Sequence, residues 1–171
     1  MQTMYLISKI AIYIEIILLL YVAFIDIAVR LIYNQISFSI FILGVIHQLL
    51  DISYVLESVI MSSLLFVMLI FIYIRGWIGG GDVKLLTAVS IGMPSSLLIQ
   101  FLTMTALSGG ILAIIHLFLR HLPAPELVSR RASLLNRIYI IERWRHTRKA
   151  PLPYGAAIAC GSIWTALNSG F

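Results

Sequence analysis

Two aspartates of this chain stand where an ionisable side chain is expensive. Asp26 closes the apolar run 5–25 and Asp82 opens the run 83–93, and a carboxylate at membrane depth is a candidate for function by default. Two carboxyls brought together at low dielectric cannot both ionise comfortably, so one pKa rises and the other falls. The ionised member can take a proton from water, and the protonated member can polarise a peptide carbonyl. Such a pair cuts amide bonds with no metal, nucleophilic side chain or cofactor, and none is expected here. Gly79, Gly80 and Gly81 directly precede Asp82. Lacking side chains, they let an extended substrate approach the backbone or let the turn take positive φ. Asp82 then falls in the first turn of a helix, where the dipole favours its ionised form. Lys84, two positions on, is expected to point away from Asp82 and carry its ammonium to the surface. On these residues alone a second reading stays open. Asp82 then merely caps its helix, and Asp26 pairs with Arg30 at i,i+4 if the helix continues that far.

The elements that must bring the two acids together follow from composition. The chain has 171 residues, of which 61% are hydrophobic and 11% charged, against about 25% charged in soluble domains. A soluble domain of this size cannot hide that much apolar surface, so the expected class is an all-α polytopic membrane protein forming a single membrane-embedded domain, 1–171. A spanning helix needs about 20 apolar residues. Six candidates follow: 5–25, 36–50, 56–74, 83–93, 96–119 and 152–167. The fourth is short and stopped by Pro94. It crosses only if Gly79 to Asp82 already lie below the membrane surface or the bilayer thins there, with a re-entrant hairpin as the alternative.

Charge sets the orientation. With the N-terminus outside, the internal loops are 26–35, 75–82 and 120–151, and of the 12 basic residues all but Lys9 fall in or beside them, as the positive-inside rule requires. Asp26 and Asp82 then face the cytosol at similar depth. The net charge of +5 resides mostly in the long basic loop before the last helix, so no nucleic-acid partner is expected. Within that loop Leu127, Leu134, Leu135, Ile138 and Ile141 recur at helical spacing; an interfacial helix on anionic lipid and a plain solvated helix-loop are both compatible with this.

The remaining polar residues carry less. The first apolar run holds Glu15 and lacks a small-residue cleavage site, so it reads as a membrane helix rather than a cleaved leader. Glu15 is expected at the outer interface or as an interhelical partner. Cys160 is the one cysteine; it excludes an internal disulfide and a multi-cysteine zinc site, and between Ala159 and Gly161 it is expected buried and inert. His47, His116, His121 and His146 show no metal-ligand spacing on one face, so no metal is expected. Ser108-Gly109-Gly110 reads as a close helix contact.

Two stretches are recognisable. Gly79-Gly80-Gly81-Asp82-Val83-Lys84-Leu85 resembles the GxGD motif of type IV prepilin peptidases, which follows a membrane span and carries one catalytic aspartate. Asp26 to Asn34 resembles that family's other motif, in which the first aspartate is followed by an Ile-Pro-Asn-like tripeptide. Ile32 and Asn34 match in register, and Tyr33 replaces the proline. Leu152-Pro153-Tyr154-Gly155 is similar to the proline-aromatic-glycine start of the family's last helix.

The resemblance is closest to the small, peptidase-only members serving Tad/Flp-type pili, without the N-methyltransferase activity of larger members. It implies removal of a leader from prepilins or pseudopilins at the cytosolic face of the bacterial inner membrane. Asp26 and Asp82 would be the dyad, Gly79 and Gly81 would shape the backbone against substrate, and Arg30, Asn34 and Lys84 would support. Which aspartate is the base is not readable. Partners would be the substrate and the bilayer, with a homo-oligomer left open. Three alternatives remain: a presenilin-like GxGD protease, a small transporter or channel using Asp26 and Asp82 as a proton or cation site, and a non-enzymatic assembly factor.

Overall fold

A computed structural model describes residues 2–50, 55–121 and 152–168. The described residues form six helices and no strand: α1 Gln2–Val29, α2 Asn34–Leu50, α3 Val55–Ile74, α4 Gly80–Ile91, α5 Ser95–His121 and α6 Tyr154–Asn168. Three stretches, Leu6–Val29, Val55–Ile74 and Ser95–Phe118, are long and apolar enough to cross a membrane, and Asn34–Leu49 is a shorter apolar helix. The basic loop beyond His121, with its expected amphipathic face, lies outside the described residues.

Local chemistry sets the boundaries that matter for the two acids. Helix α1 stops because Arg30 takes φ 59, a left-handed conformation, while its N–H still donates to the Asp26 carbonyl at 2.9 Å. Tyr33 then stands at the N-cap of α2, its carbonyl accepting from the Ile36 and Ser37 amides at 3.1 and 3.3 Å. The turn therefore forms with tyrosine where the resemblance has proline. Helix α3 ends in a Schellman motif: Gly76 has φ 72, its N–H donates to the Tyr73 carbonyl, and the Trp77 N–H donates to the Ile72 carbonyl. This is the glycine C′ arrangement that satisfies orphan carbonyls.

The chain divides into two compact units, Met1–Gly109 with Pro153–Phe171, and Gly110–Leu152. In the second, the end of α5 exposes Ile111, Ile114, Leu117 and Phe118. The first unit is built around α4. Val83, Leu85, Leu86, Ala88, Val89 and Ser90 are all buried, whereas Lys84 is exposed and Thr87 and Ile91 are half-buried, so this twelve-residue helix is enclosed on all but one face. It packs on α2, α3 and α6, while α1 packs on α2 and α6. Outward faces are apolar too: Phe24, Leu56, Phe71 and Ile99 are all exposed.

Pairs of contacts give the helix directions. Lys84 meets Asn34 and Gly92 meets Gly44, so α2 and α4 run parallel. Asp26 meets Gly155, while Glu15 and Ser162 line one small cavity, so α1 and α6 run antiparallel. Thr105 meets Gly161 and Gly109 meets Tyr154, so α5 and α6 are antiparallel as well. The C-terminal end of α1 and the N-terminal ends of α4 and α6 consequently meet at one end of this unit.

Two expectations about packing are corrected. The Ser108-Gly109-Gly110 stretch supplies one ordinary contact, since a Cβ on Gly109 would lie 3.4 Å from the Tyr154 ring. The tight approach is a turn away, where a Cβ on Gly161 would lie 2.7 Å from the Thr105 backbone nitrogen. Backbone cannot yield as a side-chain tip does, so Gly161→Ala will force α5 and α6 apart. The expected cost is about 1–3 kcal/mol, read as a lower thermal midpoint in detergent. An unchanged midpoint would refute the close approach. Cys160 is exposed rather than buried. Its neighbours Ala159 and Gly161 are buried, and successive helix residues point about 100° apart, so small neighbours do not make residue 160 face inward.

Candidate active site

Asp26 lies in the last turn of α1 and is 5% exposed. Its Oδ2 accepts a hydrogen bond of 3.2 Å from the Ala156 N–H, and the Gly155 N–H is also directed at the carboxylate. The acid from α1 is thus held by the amino end of α6, where unpaired amides and the helix dipole favour an anion.

Asp82 stands at the third position of α4. Its carboxylate folds back over the N-cap residue, accepting from the Gly79 N–H, as the acid of a capping box does. A Cβ on Gly79 would lie 2.9 Å from Asp82 Oδ2. Gly79 has φ −76 and ψ 146, so its lack of a side chain serves close approach rather than an unusual turn. The same holds along the run: a Cβ on Gly80 would lie 3.3 Å from the Tyr73 ring and one on Gly81 3.2 Å from Ile32 Cβ.

The two acids feel each other. Burial first, and the neighbouring Asp26 carboxyl second, push Asp82 up to about 6, against the opposing pull of the Gly79 N–H. The helix dipole favours the ionised form of Asp82, but desolvation and a like charge outweigh it. The linkage sign follows. Between the ordinary carboxylate value and about 6, the folded protein holds a proton that the unfolded chain has lost, so stability falls as pH rises through that window. Asp82→Asn removes this titration. Its thermal midpoint should exceed that of wild type at about pH 7–8, with the gap closing towards about pH 4. A gap independent of pH would contradict the raised value.

The residues expected to support the dyad are partly gathered. Lys84 Nζ donates to Asn34 Oδ1 at 2.9 Å, so the lysine reaches across to α2 instead of simply running to the surface. Arg30 acts electrostatically on Asp26, but not as an i,i+4 helical pair, because α1 has ended. From the Lys84–Asn34 pair a groove of about 870 Å³ runs between α2, α3 and α4, lined by Phe38, Phe41, Phe66 and Thr87. Glu15 faces α2 and α6, sharing its small cavity with His47 and Ser162, which fits the interhelical reading. Among the described residues no group of three or more His, Cys, Asp or Glu could hold a metal.

Sequence reasoning missed Ile32, Gly155 and Ala156 as parts of this site. A Cβ on Gly155 would lie 2.9 Å from Asp26 Oδ2 and 3.0 Å from Ile32 Cδ1, so Ile32 bridges the amino ends of α4 and α6. The Pro153-Tyr154-Gly155 signal was visible, but only as the start of a helix.

Compared with known proteins, residues 13–114 match the model of the type IV leader peptidase family. The match covers more than half of the chain and includes both Asp26 and Asp82; α6 lies beyond it. No curated protein and no solved structure matches the chain.

Proposed function

Because the chain belongs to the type IV leader peptidase family, we propose that it is an aspartyl endopeptidase that removes the leader of prepilins or pseudopilins. The cut falls at the cytosolic face of the bacterial inner membrane, with Asp26 and Asp82 as the dyad. One observation supports this above the rest: the buried carboxyl of Asp26 on α1 and the half-buried carboxyl of Asp82 on α4 are near enough for one to raise the other's pKa. The orientation rests on the sequence, in which all the basic residues but Lys9 fall in or beside the loops read as internal.

The chemistry assigned to the pair balances without a cofactor. Asp26, held by the amides of α6, carries the charge, and Asp82 carries the proton. Water oxygen bonds to the carbonyl carbon as its proton passes to Asp26, while the Asp82 proton passes to the carbonyl oxygen. Collapse breaks the C–N bond. The proton on Asp26 goes to the leaving nitrogen, and Asp82 recovers one from the diol. The pair titrates as a unit. Gly79 and Gly81 shape the backbone beside Asp82 by admitting the Asp82 carboxylate and Ile32 where side chains would stand. Lys84 and Asn34 brace α4 against α2, and the groove leading from them receives apolar substrate. Only peptidase activity is proposed, not methylation of the new N-terminus.

The test is co-expression with a prepilin from the same genome and a gel-mobility assay of leader removal. Wild type is compared with Asp26→Asn/Asp82→Asn at matched membrane levels. Removal by wild type alone is expected. Removal by the double variant would sink the dyad, and failure of wild type on every pilin-like substrate would sink the peptidase reading.

A further inference from the structure

We propose that the amino end of α6 is a working part of the dyad, with Gly155 as a positioning residue that keeps Asp26 facing Asp82. This rests on the peptidase reading above but goes beyond it, since Gly155 lies outside the residues matching the family.

Three features carry the inference. Asp26 and Ala156 are 130 residues apart in sequence, yet the Ala156 N–H donates to Asp26 Oδ2 at 3.2 Å, so the carboxylate is oriented by a different helix from the one that carries it. Gly155 is what lets that helix come so close. A Cβ there would lie 2.9 Å from Asp26 Oδ2, 3.1 Å from its Cγ and 3.0 Å from Ile32 Cδ1. Asp26 is buried, and Ile32 is half-buried with its Cβ beside Gly81, 3.2 Å from where a Cβ on that glycine would stand. Ile32 thus stands between Gly155 and the turn that carries Asp82.

The third feature is conformational. Gly155 is helical, and Gly76 is the one described glycine with positive φ. Glycine costs a helix up to about 1 kcal/mol relative to alanine in helix interiors, so its presence at 155 answers a need for space rather than for backbone freedom. A side chain at 155 would move Asp26 relative to Asp82 while leaving the helix content intact. A misplacement of about 1 Å in a catalytic constellation can cost about 100-fold.

The experiment measures leader cleavage by purified wild type, Gly155→Ala, Gly155→Ala/Ile32→Val and, as a control, Gly110→Ala, where nothing lies within 4 Å of the new methyl. Gly155→Ala is expected to lower kcat by about 10- to 100-fold with KM within about twofold. Ile32→Val removes the Cδ1 that the new methyl meets and should restore at least about threefold of that loss. Gly110→Ala should match wild type.

Activity of Gly155→Ala within about twofold of wild type would overturn the proposal, as would a loss confined to KM or no gain from Ile32→Val. A readout without substrate keeps the inference separable from the peptidase reading and covers a Gly155 variant that fails to fold. In wild-type protein labelled with ¹⁵N, Asp26→Asn should shift the Ala156 and Gly155 amides more than other α6 amides. Unmoved amides overturn the positioning role even if wild type cleaves. Moved amides in a protein that cleaves no prepilin uphold the contact and overturn the peptidase reading.

Discussion

Asp26→Asn and Asp82→Asn will each lower kcat/KM for leader cleavage by about 10³- to 10⁴-fold, and combining them will do little further harm. General acid and general base contributions are typically worth about 10²- to 10⁴-fold each. Independent contributions would multiply in the double variant. A dyad acts as a unit, so the second exchange finds little left to remove. Both exchanges keep volume and an acceptor oxygen, so the Ala156 N–H can still donate to residue 26 and the Gly79 N–H to residue 82. The fold should survive, and the loss should appear in the chemical step. Single-turnover cleavage by purified protein, with thermal midpoints alongside, is the measurement. A double variant some hundredfold below the worse single one, or a single variant near wild type, would show that the two acids do not work as a pair.

The second large effect lies at the far end of α4. A Cβ on Gly44 would lie 2.9 Å from the Gly92 nitrogen and 3.0 Å from its Cα, and one on Gly92 would lie 2.9 Å from Gly44 Cα. Helices α2 and α4 therefore touch backbone to backbone, the close approach that small residues permit between membrane helices. With the Lys84–Asn34 hydrogen bond, α4 is fixed against α2 near both ends, so displacing one end tilts the helix that carries Asp82. Gly44→Leu adds four carbons where one already collides with backbone. The expected cost is about 3 kcal/mol or more, the upper range for overpacking, enough to deplete assembled protein in membranes. Gly44→Ala should give an intermediate loss of thermal midpoint and a larger loss of cleavage. Normal accumulation of Gly44→Leu would disprove the contact.

Much of the site was legible because the chemistry announces itself. Asp26 and Asp82 are costly in an apolar chain, and Asn34 and Lys84 stood near them in recognisable stretches; the structure brings all four to one end of the first unit. The parallel run of α2 and α4 and the antiparallel runs of α6 against α1 and α5 agree with the order of the apolar runs. What stayed hidden is which face of each helix meets which neighbour. In helix α3 the exposed face is as apolar as the buried one, and the buried face includes Ser58 and Ser62, so the polar stripe by which an amphipathic helix of a soluble protein declares its outer side is absent. Gly110 was therefore singled out within Ser108-Gly109-Gly110 although a Cβ there would meet nothing within 4 Å, while Gly44, Gly92 and Gly161, which sit at backbone contacts, were not. The raised pKa of Asp82 stayed hidden for a related reason. The dipole of its own helix is a local property, whereas burial and the charge of Asp26 are supplied by the rest of the fold.

Cys160 has a practical consequence. It is the one thiol in the sequence, it faces outward, and it lies on α6, five residues after Gly155 on the helix that holds Asp26. A maleimide dye or a nitroxide can therefore be attached to the native chain with no engineered cysteine and none to remove. The protein comes with a reporter already fixed to the helix that orients its acid, and the polarity sensed by that label distinguishes lipid from protein against this face.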